Sequence, residues 1–284
     1  MPAADRALAS PVEPPPLTAS RLLPAVGVAL SAVLLFGLYD QPVRPVGYVV
    51  LVVSLAAAGV VDRGLFRDLL LIGIGIAIVS LVSVEADISY GNILVLGTVL
   101  TAAVLVPFLI DRFVYRRRAI RFPWRGGQKW APWEKSYLFS VPFLGWLILP
   151  FYFITSEVYL NWPAVEAPDE IARLFVGVNA VGIWDELFFI CTCYALFLRH
   201  FRPLIANLLQ AVIFVSFLWE LGYQAWGPAL TIPFALLQGF IFTRTKSLTF
   251  VLIVHLLFDL VVFLVIVHAH NPGLIPIFFV PSPA

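Results

Sequence analysis

The feature that most limits what this chain can fold into is its succession of apolar blocks, each roughly 17 to 25 residues long and set apart by short polar stretches. In hydrocarbon the backbone has no water to bond, so blocks of this length must satisfy their own amides as helices. No strand-like alternation competes with the pattern, which argues against an outer-membrane barrel. Composition agrees: 61% of the 284 residues are hydrophobic and 12% are charged, well away from the values of a soluble domain.

The blocks predict nine spans, at 22–39, 46–61, 67–84, 92–110, 137–155, 171–198, 204–222, 228–243 and 247–268. The second and eighth are the shortest, so the expected fold is an all-α polytopic transmembrane bundle of eight or nine helices. Cytoplasmic loops collect Lys and Arg. With the N-terminus inside, the segments 1–21, 62–66, 111–136, 199–203 and 244–246, together with Arg67, hold 16 of the 18 basic residues. Arg44 and Arg173 fall outside, and the loop at 156–170 carries Glu157, Glu166, Asp169 and Glu170. An N-in, C-out protein of a cell inner membrane is therefore expected.

Five regions follow: a disordered tail at 1–20 with Pro11 and Pro14-Pro15-Pro16, anchoring helices at 21–112, a basic loop at 113–136, a functional part at 137–270 and a tail at 271–284. The tail lacks the form of a signal peptide, because the first apolar block is long enough to span. In the basic loop Arg116-Arg117-Arg118, Arg121, Arg125, Lys129 and Lys135 alternate with Trp124, Trp130 and Trp133, a mixture suited to anionic lipid headgroups. Membrane lipids are the partner this implies, and no nucleic acid. Cys191 and Cys193 stand two apart on one helix, point to different faces, and read as packing. His268 and His270 have the same spacing at a helix end and make a poor metal pair.

Asp185, Glu186, Glu220, His255 and Asp259 are the ionisable groups well inside the bilayer. A charge at the bilayer centre costs roughly 2.5 to 3.5 kcal/mol or more. Four carboxyls face a single imidazole, and no Lys or Arg lies at their depth. They must share protons or hold a cation. At about 1.5 Å per residue, Asp185 and Glu186 lie about 18 to 20 Å from the cytoplasmic end of their span; Glu220 lies about 24 Å along the next, and His255 and Asp259 about 12 and 18 Å along the last. All five share one layer. His255 and Asp259, four apart, share a helix face. Asp185 and Glu186 diverge by roughly 100°, and Asn179, seven residues before Glu186, favours Glu186 as the inward member.

The order Asp185-Glu186-Leu187-Phe188-Phe189-Ile190, then Ser216-Phe217-Leu218-Trp219-Glu220, then His255-Leu256-Leu257-Phe258-Asp259 resembles the CPBP family of intramembrane metalloproteases, which holds the CAAX prenyl proteases and bacteriocin-processing enzymes. That family shows Glu-Glu-x-x-x-Arg, Phe-x-x-x-His and His-x-x-x-Asn. The lead-in from Gln238 to Leu248 is similar to the family's approach to its last motif, and the likeness covers about 137–268. Three departures stand out: Asp185 opens the acidic pair, Ile190 replaces the Arg and Glu220 replaces a His.

The resemblance implies an endopeptidase that cleaves a membrane-associated peptide or protein. Asp185 or Glu186 would activate water, with His255 in the catalytic set. Glu220, His255, Asp259 and Glu186 would hold a divalent ion such as Zn, Mn or Fe, with water entering from the cytoplasmic leaflet. A scaffold that kept the helices and lost the activity is the alternative. A cation-coupled transporter also uses buried acids, but no internal repeat supports it.

Overall fold

The computed structural model describes residues 17–38, 42–125 and 130–283. Most of the expected N-terminal tail, including Pro11, and Lys129 of the basic loop lie outside them. The described residues form nine long helical segments and no strand. They are α1 Ala19–Gly37, α2 Arg44–Val61, α3 Arg63–Val79, α4 Tyr90–Val114, α5 Pro132–Thr155, α6 Pro168–Phe197, α7 Pro203–Leu221, α8 Pro228–Thr245 and α9 Leu248–His270.

Seven of these are long and apolar enough to cross a membrane, fewer than the eight or nine expected. The other two are α3 and α8. The helix α3 ends at Val79, short of the expected residue 84, and its first turns carry Arg63, Arg67 and Asp68. The helix α8 is diluted by Pro233, Gln238, three threonines and Arg244. Both still pack within the bundle. The chain is an integral membrane protein with a polytopic helical fold.

Local chemistry sets the helix ends. Pro132, Pro168, Pro203 and Pro228 open α5, α6, α7 and α8, where the missing N–H costs nothing because that amide has no helical partner. Asp62 caps α3 by accepting the amides of Gly64 at 2.6 Å and Leu65 at 3.0 Å. Ser89 and Ser247 cap α4 and α9.

Burial separates the helices by role. In α7 67% of the apolar window is buried, against 22% in α2 and in α4. The helix α7 is the hub, packed on α1, α8 and the second half of α6. The exposed Val49, Val52, Val53 and Val60 of α2 present an apolar face of the kind lipid covers. The first four helices join the same core: it runs from Ala25 on α1 to Val267 on α9.

At the basic end Asp68, 1% exposed, accepts from Arg117, from Arg199 at 2.8 Å and from His200 at 2.7 Å. Arg117 also reaches Asp111 at 2.6 Å. One arginine of the basic loop is thus an internal clamp joining α3 and α4, and Asp68 extends the tie to Arg199 and His200 just beyond α6.

Candidate active site

The cluster forms where α6, α8 and α9 meet. Four of the five singled-out groups come together: Asp185, Glu186, His255 and Asp259 are each no more than 4% exposed. His255 stands at the centre. Its Nδ1–H donates to Glu186 Oε1 at 2.7 Å, and its Nε2 lies 3.6 Å from Asp185 Oδ2 and 3.7 Å from Asp259 Oδ1. The adjacent acids therefore take opposite sides of one imidazole. A divergence of about 100° between neighbours on a helix is what permits this.

The helix changes character at this point. From Glu186 to Tyr194 the turns of α6 widen to π geometry, a form that recurs at functional sites because it re-aims side chains. Glu186 is fully buried, and its Oε1 also accepts from Gln238 Nε2 at 2.6 Å. Gln238 in turn donates to the Val251 carbonyl at 3.2 Å. Glu186 is thereby committed to holding the ring, while Asp185, His255 and Asp259 line a cavity of about 720 Å³. Glu186 points inward as expected, onto His255, and Asp185, also inward, is the acid that lines the cavity. Asn179 bonds back to the Phe175 carbonyl of its own helix at 2.7 Å.

Glu220 does not join the group. It is buried near the end of α7, and its Oε1 accepts the Val84 amide at 3.1 Å. There it anchors the α3–α4 connection, of which Glu85, Ala86, Asp87 and Ile88 line the cavity. His268 and His270 also separate, the first donating to the Val280 carbonyl at 3.0 Å and the second to that of Tyr159 at 3.2 Å. Cys191 and Cys193 are buried and unlinked.

Among the described residues no three His, Cys, Asp or Glu side chains already close around one ion position. Asp185 Oδ1 and Asp259 Oδ2 are nevertheless buried without a hydrogen-bond partner. Buried acceptors in that condition are rare and costly.

Several residues to which the sequence assigned no role complete the site. Gln238 holds Glu186; an amide at membrane depth in an apolar helix was the signal for it. Phe234 packs edge-on against His255 with ring centroids 5.0 Å apart. Gly182 lies one helical turn before Asp185, and a Cβ there would collide with Asp259 Oδ2 and stand 3.2 Å from His255 Cδ2. Only a residue without a side chain lets α9 approach this closely. At the cavity's acidic end, burial pushes the Tyr223 phenol well above its ordinary pKa, so it stays a neutral hydroxyl.

The cavity runs between α4 and α6 to the loops at the acidic end, among them Asp87, Trp162 and Asp169. It does not reach the basic loop, the end where access was expected; beyond the cluster, its charged lining lies at the opposite end of the bundle.

Residues 167–261 match the family described as type II CAAX prenyl endopeptidase Rce1-like. No curated protein and no solved structure matches the chain. The matched segment holds the acidic pair, Gln238 and the His255/Asp259 pair, and the family it matches is a CAAX protease family, as the resemblance of the three motifs led one to expect.

Proposed function

We propose that this protein is an endopeptidase of a cell inner membrane that hydrolyses a membrane-associated peptide at Asp185, His255 and Asp259. The observation that carries this reading is the division of labour around His255: one acid holds the ring from Nδ1, and two others face the cavity on the Nε2 side. In the reaction Asp185 takes a proton from water as the water oxygen bonds the scissile carbonyl carbon. The proton then passes to the departing amine as the C–N bond breaks. His255, oriented by Glu186 and Gln238, presents Nε2 where negative charge develops on the carbonyl oxygen.

In a metal-loaded form His255 Nε2 would give its lone pair to a hard divalent cation instead of a hydrogen to the oxyanion, with Asp259 as a second ligand and Glu186 behind the imidazole, while Asp185 would remain the base. His255 Nε2 stands 3.7 Å from Asp259 Oδ1, near the donor spacing of about 3.4 to 3.6 Å in a tetrahedral site, and among the described residues no third His, Cys, Asp or Glu closes the position. Bound there, a cation supplies the positive charge the acids lack and polarises a carbonyl.

The test is cleavage of a quenched fluorescent apolar peptide by purified protein. Asp185→Asn lowers kcat by about 10² to 10⁴-fold, while Glu186→Gln, which keeps both hydrogen bonds to its oxygen, lowers it by about 10 to 100-fold. Full activity in both variants removes the peptidase reading. Elemental analysis gives one Mn, Zn or Fe per chain in wild type and none in Asp259→Asn. A second reading, a non-proteolytic scaffold, is favoured by the engagement of Glu220 with Val84 where the family has a His.

A further inference from the structure

The cavity beside the cluster is larger and more directional than hydrolysis alone requires. The helix α4 lines it from Tyr90 to Leu105 and α6 from Asp169 to Leu187, about 22 Å and 27 Å of helix at 1.5 Å per residue. Its walls along these helices are apolar, with Ile93, Leu96, Val104, Val181 and Ile183 among them. Space is left open at Gly97 and Gly177, where a Cβ would meet nothing within 4 Å.

Both ends of this apolar passage carry carboxyl groups. At the deep end are Asp185 and Asp259, each with a buried carboxylate oxygen lacking a hydrogen-bond partner. At the mouth are Glu85, Asp87, Asp169 and Arg173. Arg173 is already engaged, paired with Asp169 at 2.9 Å and lying over the Tyr90 ring at 4.5 Å. Glu85 and Asp87 are exposed and form no ion pair among the described residues. The connection between α5 and α6 carries Glu157 and Glu166, and the first turn of α6 carries Glu170. A cleft rimmed by one sign of charge above low-dielectric walls attracts the opposite sign.

We propose that the cavity takes an extended apolar peptide segment bearing Lys or Arg on the side of the acidic mouth. This rests on the peptidase reading for what happens at the deep end. From Arg173 to Asp185 is about 18 Å of helix, and from Asp169 about 24 Å. At about 3.3 to 3.6 Å per extended residue, the basic residue stands about five to seven positions from the bond presented to Asp185. The substrate enters from the end opposite the basic loop. An extended backbone at this depth is tolerated because the passage must admit the water that hydrolysis consumes.

The test separates binding from cleavage. Two peptides share an apolar core rich in Leu, Ala and Phe, and end in Lys-Lys or Glu-Glu about six residues from the core's centre. Their binding to full-length Asp185→Asn protein in detergent is followed by fluorescence anisotropy, and their cleavage by wild-type protein is followed by dequenching. The Lys-Lys peptide binds about tenfold or more tightly at low salt, and the preference shrinks as salt screens the rim. Glu85→Lys, an exposed change, reduces the preference at least threefold, and Asp87→Asn reduces it in the same direction. Equal binding of the two peptides, or a preference unmoved by both rim variants, overturns the proposal even if both are cleaved. Selective binding of Lys-Lys with no cleavage by wild type leaves the proposal standing and overturns the peptidase reading instead.

Discussion

His255 gains its character from what touches each nitrogen. With Nδ1 committed to Glu186, only Nε2 faces the cavity. Gly182 makes that arrangement possible, and it gives an unusual expectation for a glycine. In an exposed helix interior Gly→Ala commonly gains about 0.5 to 1 kcal/mol. Here the new methyl meets Asp259 and His255, so Gly182→Ala is expected to destabilise by about 1 to 3 kcal/mol. Activity is lost with it, as thermal unfolding in detergent and the cleavage assay will show; a stabilised, active variant would contradict the close approach. His255→Ala removes the centre of the cluster and is expected to abolish cleavage and metal binding together.

At the scale of the elements, the bundle is tied at its basic end by Asp68. Removing a buried partner of cations leaves them uncompensated. Asp68→Asn is expected to cost roughly 2 to 3 kcal/mol, below the range for a fully buried pair because the Arg199 side chain is 46% exposed. Denaturation in mixed micelles measures it. The junction of α2 and α3 carries a smaller, pH-dependent share. The Leu65 and Gly64 amides and the Arg21 guanidinium hold the Asp62 carboxyl below its ordinary value despite partial burial. Its stabilisation is therefore full above the unfolded carboxyl's pKa of about 3.9, and is lost as pH falls through the lower folded value. Asp62→Ala is expected to cost about 1 kcal/mol at neutral pH, with the difference from wild type vanishing in acid.

For the whole molecule, charge sorts the two ends. Among the described residues, most Arg and Lys gather at the end where α1 begins, and Glu85, Asp87 and Asp169 line the mouth of the cavity. Single cysteines at Trp124 and at Glu157, in a background with Cys191 and Cys193 replaced by Ala, are expected to react with an impermeant thiol reagent from opposite sides of sealed vesicles. Labelling of both from one side would reverse or break the topology.

How much of this could be read from the chain follows from which forces are local. The span pattern was legible because a helix in lipid must be apolar along its length, and His255 with Asp259 was legible because four residues close a turn. The two elements that fall short, α3 and α8, are those whose polar residues find partners on neighbouring segments: Asp68 with Arg117 and Arg199, the Gln238 amide nitrogen with Glu186. Which acid faces the cavity was not legible. Asp185 and Glu186 differ by one step around a helix, and their assignment depends on where α8 and α9 set Gln238 and His255. Glu220 had the right depth and the wrong neighbour, since depth comes from counting along one helix but the Val84 amide arrives from a distant connection. Hydrophobicity along the chain thus dictated a helical membrane protein with buried acids. The site itself, its open side and its acidic mouth came from packing between helices, because contacts between distant segments leave no periodic trace in the sequence.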